Sequence, residues 1–138
     1  MQATIQATAP VVPVSTMRRW AGRISSALVI LFLLFDGAIK VLQLAPAVDG
    51  TVQLGYPAGA TFGLGVLLLA CVALYALPRV APLGATLLTG YLGGVIATHV
   101  RVGSPAFSMI FPLILGALLW GGLALRDARL RALLAPRP

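Results

Sequence analysis

The chain has 138 residues, of which 59% are hydrophobic and only 9% are charged, and its mean hydropathy is +0.99. Soluble domains carry about a quarter charged residues, so this composition cannot cover a surface that faces water. It excludes an ordinary soluble enzyme, a disordered regulator and a small secreted domain held by disulfides. What remains is an integral membrane protein with a single domain.

Four apolar segments follow one another along the chain. Residues 1–17 are uncharged, contain prolines and are predicted to be disordered. The apolar segments, at about 20–44, 57–77, 82–100 and 106–125, are each long enough for a helix that crosses about 30 Å of hydrocarbon. The sequence therefore predicts four transmembrane helices.

The connections between these segments are short, which makes consecutive helices antiparallel neighbours. The predicted fold is all-α, an up-down-up-down transmembrane bundle of four helices within a single domain at 18–135. The last predicted helix ends at about residue 125, and a basic cytoplasmic tail at 126–138 comes after it and overlaps the end of the domain. Pro57 and Pro82 suit the first turns of the second and third helices. Pro112 is expected to kink the fourth helix or loosen its first turns.

The basic residues indicate the orientation in the membrane. Lys40 and Arg101 lie at one end of the predicted bundle, and the other eight lie at the opposite end: Arg18, Arg19, Arg23, Arg79, Arg126, Arg129, Arg131 and Arg137. Under the positive-inside rule both termini are cytoplasmic, in a multi-pass protein of the inner (plasma) membrane. Because the arginines flank apolar runs, the formal charge of +7 reports orientation and nucleic acid is not an expected partner.

Small residues at four-residue spacing predict close packing between helices in lipid. Helix packing is expected at Gly59 and Gly63 in the second segment, at Gly90, Gly93 and Gly94 in the third, and at Gly121 in the fourth. Contact inside the bundle and contact with a second copy or a partner membrane protein both fit this spacing.

Ionisable residues within a membrane are the first place to search for function, because each is costly there. Asp36 and Lys40 are one helical turn apart and share a face. With the ends of the first and third helices at one depth, a polar chamber is expected at the outer membrane face. Its candidate ligand-binding residues are Asp36, Lys40, Gln43, Gln53, Tyr56, His99 and Arg101. A structural ion-pair network, with Lys40 reaching the interface, fits equally.

Counting residues excludes several chemistries. One histidine and one cysteine cannot form a zinc site in a single chain, so no metal is expected. No nucleophile elbow or phosphate-binding loop is present, and no catalytic residue can be assigned. His99 could supply a proton near neutral pH to a polar headgroup or a quinone carbonyl. Any activity is therefore expected to be that of an oxidoreductase subunit and not of a hydrolase.

Four blocks of the sequence resemble the DoxX-like family of small four-helix membrane proteins. They are FLLFDGAIKVLQ at 32–43, VQLGYP at 52–57, PLGATLLTGYLGGVIATHVRVGSP at 82–105 and WGGLALRDARLRALL at 120–134. The resemblance implies one of two roles. The first is an accessory subunit of a quinone-linked redox system, with a quinone as the candidate cofactor. The second is a non-catalytic assembly, chaperone or scaffold protein that docks a partner membrane protein through its small-residue faces.

Overall fold

The computed structural model describes residues 16–136 and 138 of the chain. These residues form six α-helices and no β-strand, which confirms the all-α prediction. The helices are α1 (Thr16–Val41), α2 (Ala45–Gln53), α3 (Ala60–Ala76), α4 (Ala81–Arg101), α5 (Ala106–Arg126) and α6 (Ala128–Leu134). Of the segment predicted to be disordered, residues 1–15 lie outside the described residues, whereas Thr16 and Met17 belong to α1.

Three helices, α1, α4 and α5, are long and apolar enough to cross a membrane. The fourth long apolar helix, α3, has 17 residues and lies at the lower limit of the length that spans a bilayer. The chain is thus a membrane protein with three candidate spans. The sequence predicted four.

Each of the four long helices packs against two others. Helix α1 contacts α3 and α5, and α4 contacts the same two helices. Between α1 and α5, Ser25 bonds to the carbonyl of Leu118 and Phe32 meets Phe111, so later residues of one helix meet earlier residues of the other. The buried core between the helices is mainly aliphatic, with the fully buried ring of Tyr75 among the leucines and valines.

Glycines allow the closest approaches between these helices. A Cβ atom at Gly65 would lie 3.0 Å from the carbonyl oxygen of Gly37, and one at Gly22 would lie 3.0 Å from that of Gly122. A Cβ atom at Gly84 would collide with the backbone of Tyr75. At these positions the absence of a side chain lets the backbones pack directly, as expected for helices in lipid.

The sequence assigned this packing role to other glycines. A Cβ atom would meet no heavy atom within 4 Å in the described chain at any of the predicted positions, Gly59, Gly63, Gly90, Gly93, Gly94 and Gly121. The described chain therefore shows no close helix contact at these six positions, and contact with a second copy or a partner helix, which the spacing also allows, stays a prediction. Glycine spacing alone does not say which face of a helix meets a neighbour.

The connecting segments contain structure that the sequence did not predict. Helix α2 occupies most of the link after α1, with a proline in its first turn. Pro57 lies three residues before α3 and not within its first turn, whereas Pro82 is the second residue of α4. Helix α5 continues through Pro112. Asp127 ends α5 and caps α6 by accepting the backbone N–H of Arg129 at 2.9 Å.

Candidate functional site

A cavity of about 530 Å³ lies among α1, α4 and α5, with α2, α3 and the segment between them closing part of its wall. Most of its lining is apolar, from leucine, phenylalanine and valine side chains. The polar side chains in the lining are Asp36, Lys40, Thr51, Tyr56, Tyr91, Thr98, His99 and Ser108. A concave, mostly apolar site with a few polar groups is typical of small-molecule binding.

The ion pair predicted from the spacing on the first helix is formed. The Lys40 ammonium donates to Oδ2 of Asp36, and 29% of the Asp36 side chain and 17% of the Lys40 side chain are exposed. Both residues line the cavity near the end of α1, where the positive charge of Lys40 also complements the helix dipole. The cavity wall therefore carries two opposite charges, each of which is the counter-ion of the other.

His99 reaches the cavity from the last turn of α4. Its Nδ1 atom and the Ser104 hydroxyl lie 2.8 Å apart, which fixes the ring against the link to α5. Within the described part of the chain, Nε2 of His99 has no hydrogen-bond partner, and the residue is half-buried. An imidazole held in this way can form a hydrogen bond with a bound molecule through Nε2.

Tyr56 connects the segment after α2 to the cavity wall on α4. Thr98 donates its hydroxyl proton to the carbonyl oxygen of Gly94 at 2.8 Å, so its oxygen accepts from the Tyr56 hydroxyl at 3.1 Å. On α2, the buried Thr51 donates to the carbonyl of Ala47 in the same manner. These bonds fix the hydroxyl groups of Tyr56, Thr98 and Thr51 at the cavity wall.

Gly90 and Gly94 line the cavity. No heavy atom lies within 4 Å of a Cβ placed at either position, so the glycines leave room instead of mediating helix contact. They lie one turn apart on α4 and continue to Thr98, which is part of the same wall. The small-residue stripe of this helix thus borders an open volume.

Three predicted residues lie outside the cavity lining. Gln43 follows the end of α1 with a positive φ of 51°, and Gln53 is the last residue of α2; both are exposed. Arg101 is also exposed, and its guanidinium donates to the carbonyl oxygen of Leu54 at 2.7 Å. Because Leu54 is part of the lining, Arg101 supports the cavity wall from outside.

Sequence reasoning missed the aromatic wall and Tyr91. Phe32 meets Phe111 edge-on with ring centroids 5.1 Å apart, and Phe107 stacks beside Phe111 at 5.8 Å. All three phenylalanines line the cavity. Tyr91 precedes His99 by two helical turns, so its position on the same face could have been read from the spacing. The aromatic contact joins α1 to α5, and no local pattern indicates it.

The comparisons with known proteins place this chain among membrane proteins of one family. Residues 24–122 match the family model described as the DoxX-like family. The matched range includes Asp36, Lys40, Tyr56 and His99 of the cavity wall. No curated protein and no solved structure matches the chain.

Proposed function

Because the chain belongs to the DoxX-like family, we propose that it is an accessory subunit of a quinone-linked redox system. In this proposal the cavity receives a quinone, with the ring and tail against the apolar lining and the carbonyl groups at the polar side chains. In this proposal a partner enzyme completes the reaction, and the cavity wall of this chain supplies the binding groups.

The observation that carries this proposal is the mixed character of the cavity. Its volume of about 530 Å³ lies in the range of small-molecule sites. A quinone needs hydrogen-bond donors for its carbonyl oxygens and apolar surroundings for its ring. Lys40, Tyr91 and His99 are donors in the lining, and the phenylalanines of α1 and α5 supply flat apolar surfaces.

We also propose that α1, α3, α4 and α5 all cross the membrane as an up-down-up-down bundle with both termini in the cytoplasm. The opposite order of contacts between α1 and α5 supports antiparallel packing. The arginines at the start of α1 and the end of α5 support a cytoplasmic location for these ends. The cavity then opens toward the outer face of the inner membrane, where Lys40 and His99 lie in the last turns of α1 and α4.

The test is binding of a short-chain benzoquinone to the full chain, purified in a nonionic detergent and followed by quenching of intrinsic fluorescence. We expect saturable binding. Gly94→Leu fills part of the cavity and should weaken binding at least tenfold. Gly93→Leu is the matched control, because Gly93 is exposed and outside the lining. Absence of saturable binding, or equal losses in both variants, would contradict the proposal.

A second candidate function is a non-catalytic assembly or scaffold protein that docks a partner membrane protein. The observation that favours it is the exposure of Gly59, Gly63, Gly93 and Gly121, where the described chain leaves open space at each Cβ position. Such faces allow another helix to approach closely. Here the roles of the two variants reverse: Gly93→Leu should lose a stoichiometric cross-linked partner and Gly94→Leu should retain it.

A further inference from the structure

A second concave site lies at the opposite end of the helices from the cavity. It is a crevice of about 440 Å³ between the α3–α4 link and the C-terminal helix α6. Arg79 from the link and Arg129 from α6 lie on its two sides, and Pro82, Leu130 and Leu133 give it apolar walls. The crevice therefore combines two cations from separate elements with an apolar floor.

Both arginines are available to a ligand. Arg79 and Arg129 are exposed, and neither side chain forms an ion pair or hydrogen bond with any residue in the described ranges 16–136 and 138. Asp127 also borders the crevice, but its Oδ1 atom accepts the backbone N–H groups of Arg129 and Leu130 at the start of α6. Its carboxylate is thus engaged in the helix cap.

The surroundings of the crevice carry a large excess of positive charge. The start of α1 lies here too, since a Cβ at Gly22 would contact Leu125 and Arg126 at the end of α5. The arginines at this end are Arg18, Arg19, Arg23, Arg79, Arg126, Arg129 and Arg131. The only acidic residue among the described elements of this end is Asp127. An anion is the complementary ligand.

Helix α6 indicates that the anion belongs to a lipid. It starts directly after Asp127, where the membrane-spanning candidate α5 ends. Leu130 is buried against the core, whereas Leu133 and Leu134 are 75% and 64% exposed. A short helix with exposed leucines and arginines at the end of a span lies in the membrane interface, where its leucines enter the acyl region. Phospholipid headgroups occupy the same depth.

We propose that this crevice binds the headgroup of an anionic phospholipid. The phosphate lies between the Arg79 and Arg129 guanidinium groups, and the acyl chain runs beside Leu133. Guanidinium groups bind phosphate oxygens through charge-assisted hydrogen bonds, and basic pockets beside membrane helices recognise anionic headgroups. The site is separate from the proposed quinone cavity and does not depend on it.

The test is titration of the full chain in nonionic detergent with phosphatidylglycerol or phosphatidylcholine, with bound lipid counted by native mass spectrometry. We expect preferential binding of phosphatidylglycerol. In this proposal only Arg79 and Arg129 of these arginines contact the phosphate directly, through charge-assisted hydrogen bonds, so R79Q/R129Q should weaken binding by about tenfold or more. The matched control, R19Q/R23Q, removes the same charge from the same end of the protein and should change binding less than about twofold.

Two further measurements separate the sources of phosphate and the possible occupants. Leu133→Ser should weaken phosphatidylglycerol binding, and millimolar inorganic phosphate should not displace the lipid. Displacement by phosphate without an effect of Leu133→Ser would assign the crevice to a free ion and overturn the lipid proposal. Three other results would also overturn the lipid proposal. The first is an equal loss of phosphatidylglycerol affinity in R79Q/R129Q and R19Q/R23Q, and the second is phosphatidylcholine binding as tight as that of phosphatidylglycerol. The third is a dimer of the parent protein that R79Q/R129Q abolishes, which would assign the crevice to a second copy of the chain.

Discussion

The glycines between α1 and α3 differ from those on the cavity wall of α4 in what lies beside them. A Cβ at Gly65 would lie 3.0 Å from the Gly37 carbonyl oxygen, but at Gly90 or Gly94 it would meet nothing within 4 Å in the described chain. The same residue type lets two backbones touch in one region and leaves a volume open in the other. Glycine spacing in a membrane helix therefore identifies a smooth face, and the opposing helix decides its use.

The largest effect is expected where glycine contact is tightest. Gly84→Leu places a side chain against the backbone of Tyr75 and Leu74, which cannot move without separating α3 from α4. Overpacking of a well-packed site costs about 1–3 kcal/mol and occasionally more, and we expect a loss of about 3 kcal/mol or failure to fold. Thermal unfolding of the purified protein in detergent measures it.

The matched control for Gly84→Leu is Gly93→Leu, on the same helix. Because a Cβ at Gly93 has open space around it, the unfolding temperature should remain close to that of the parent protein. If both variants are equally unstable, the distinction between contact glycines and open glycines fails for α4.

The Asp36–Lys40 ion pair on the cavity wall should contribute to stability through its charges, in contrast to the glycine contacts between helices. Lys40→Leu leaves the Asp36 carboxylate in the cavity wall without its cation, whereas Asp36→Leu leaves a long lysine that can extend toward the interface. Removing one partner of a partly buried ion pair lowers the free energy of unfolding. We expect a loss of about 2 kcal/mol for Lys40→Leu and a smaller loss for Asp36→Leu. Denaturation in mixed micelles measures both, and equal values near the parent would contradict a structural role for the pair.

The double variant D36L/K40L is the control for this pair. Replacing both charges with apolar groups removes the stranded carboxylate, so stability should recover most of what Lys40→Leu loses. A double variant no more stable than Lys40→Leu would indicate that the loss comes from altered packing of α1 and not from charge.

The sequence predicted those features of the site that depend on local spacing. The four-residue separation of Asp36 and Lys40 places them on one face of any helix, and their ion pair is present. His99 and Tyr56 were placed near them by the expected order of the helices, and all four residues line one cavity. The all-α class also follows from composition. The predicted segment at 57–77 instead gives a helix of 17 residues, shorter than the three candidate spans.

The features that the sequence could not predict depend on contacts between distant segments. Gln43 follows Lys40 by three residues, a spacing that would place both on one face of a continuing helix, but α1 ends at Val41 and the positive φ at Gln43 takes it off that face. Arg101 follows His99 by two residues, a spacing that in a helix separates side chains to different faces. Its bond to Leu54 depends on α2, which no strong apolar pattern indicates. The edge-on contact of Phe32 with Phe111 likewise requires the final packing of α1 on α5.

A smaller loss of stability is expected at Arg101, which supports the cavity wall from outside. Arg101→Gln removes the charged donor to the Leu54 carbonyl, an exposed bond whose loss should cost about 0.5–1 kcal/mol. Because Leu54 lines the cavity, the affinity for a bound benzoquinone should also fall, by a few fold. Fluorescence titration and thermal unfolding of one preparation measure the two effects. Arg19→Gln is the control, and an equal change in that variant would assign the effect to net charge.

The smallest effect tests the open glycines themselves. Alanine in place of a helical glycine reduces the entropy of the unfolded chain and stabilises by about 0.4–1 kcal/mol where space permits. Both Gly93→Ala and Gly90→Ala meet that condition, since neither new methyl group would have a heavy atom within 4 Å in the described structure. Both variants should therefore unfold at slightly higher temperature than the parent. They should differ in ligand affinity, because Gly90 lines the cavity and Gly93 does not. A methyl group at Gly90 reduces the room for a benzoquinone, and one at Gly93 should leave the affinity unchanged. A destabilised Gly93→Ala would contradict the open space at this position and indicate that Gly93 contacts another helix in the purified protein.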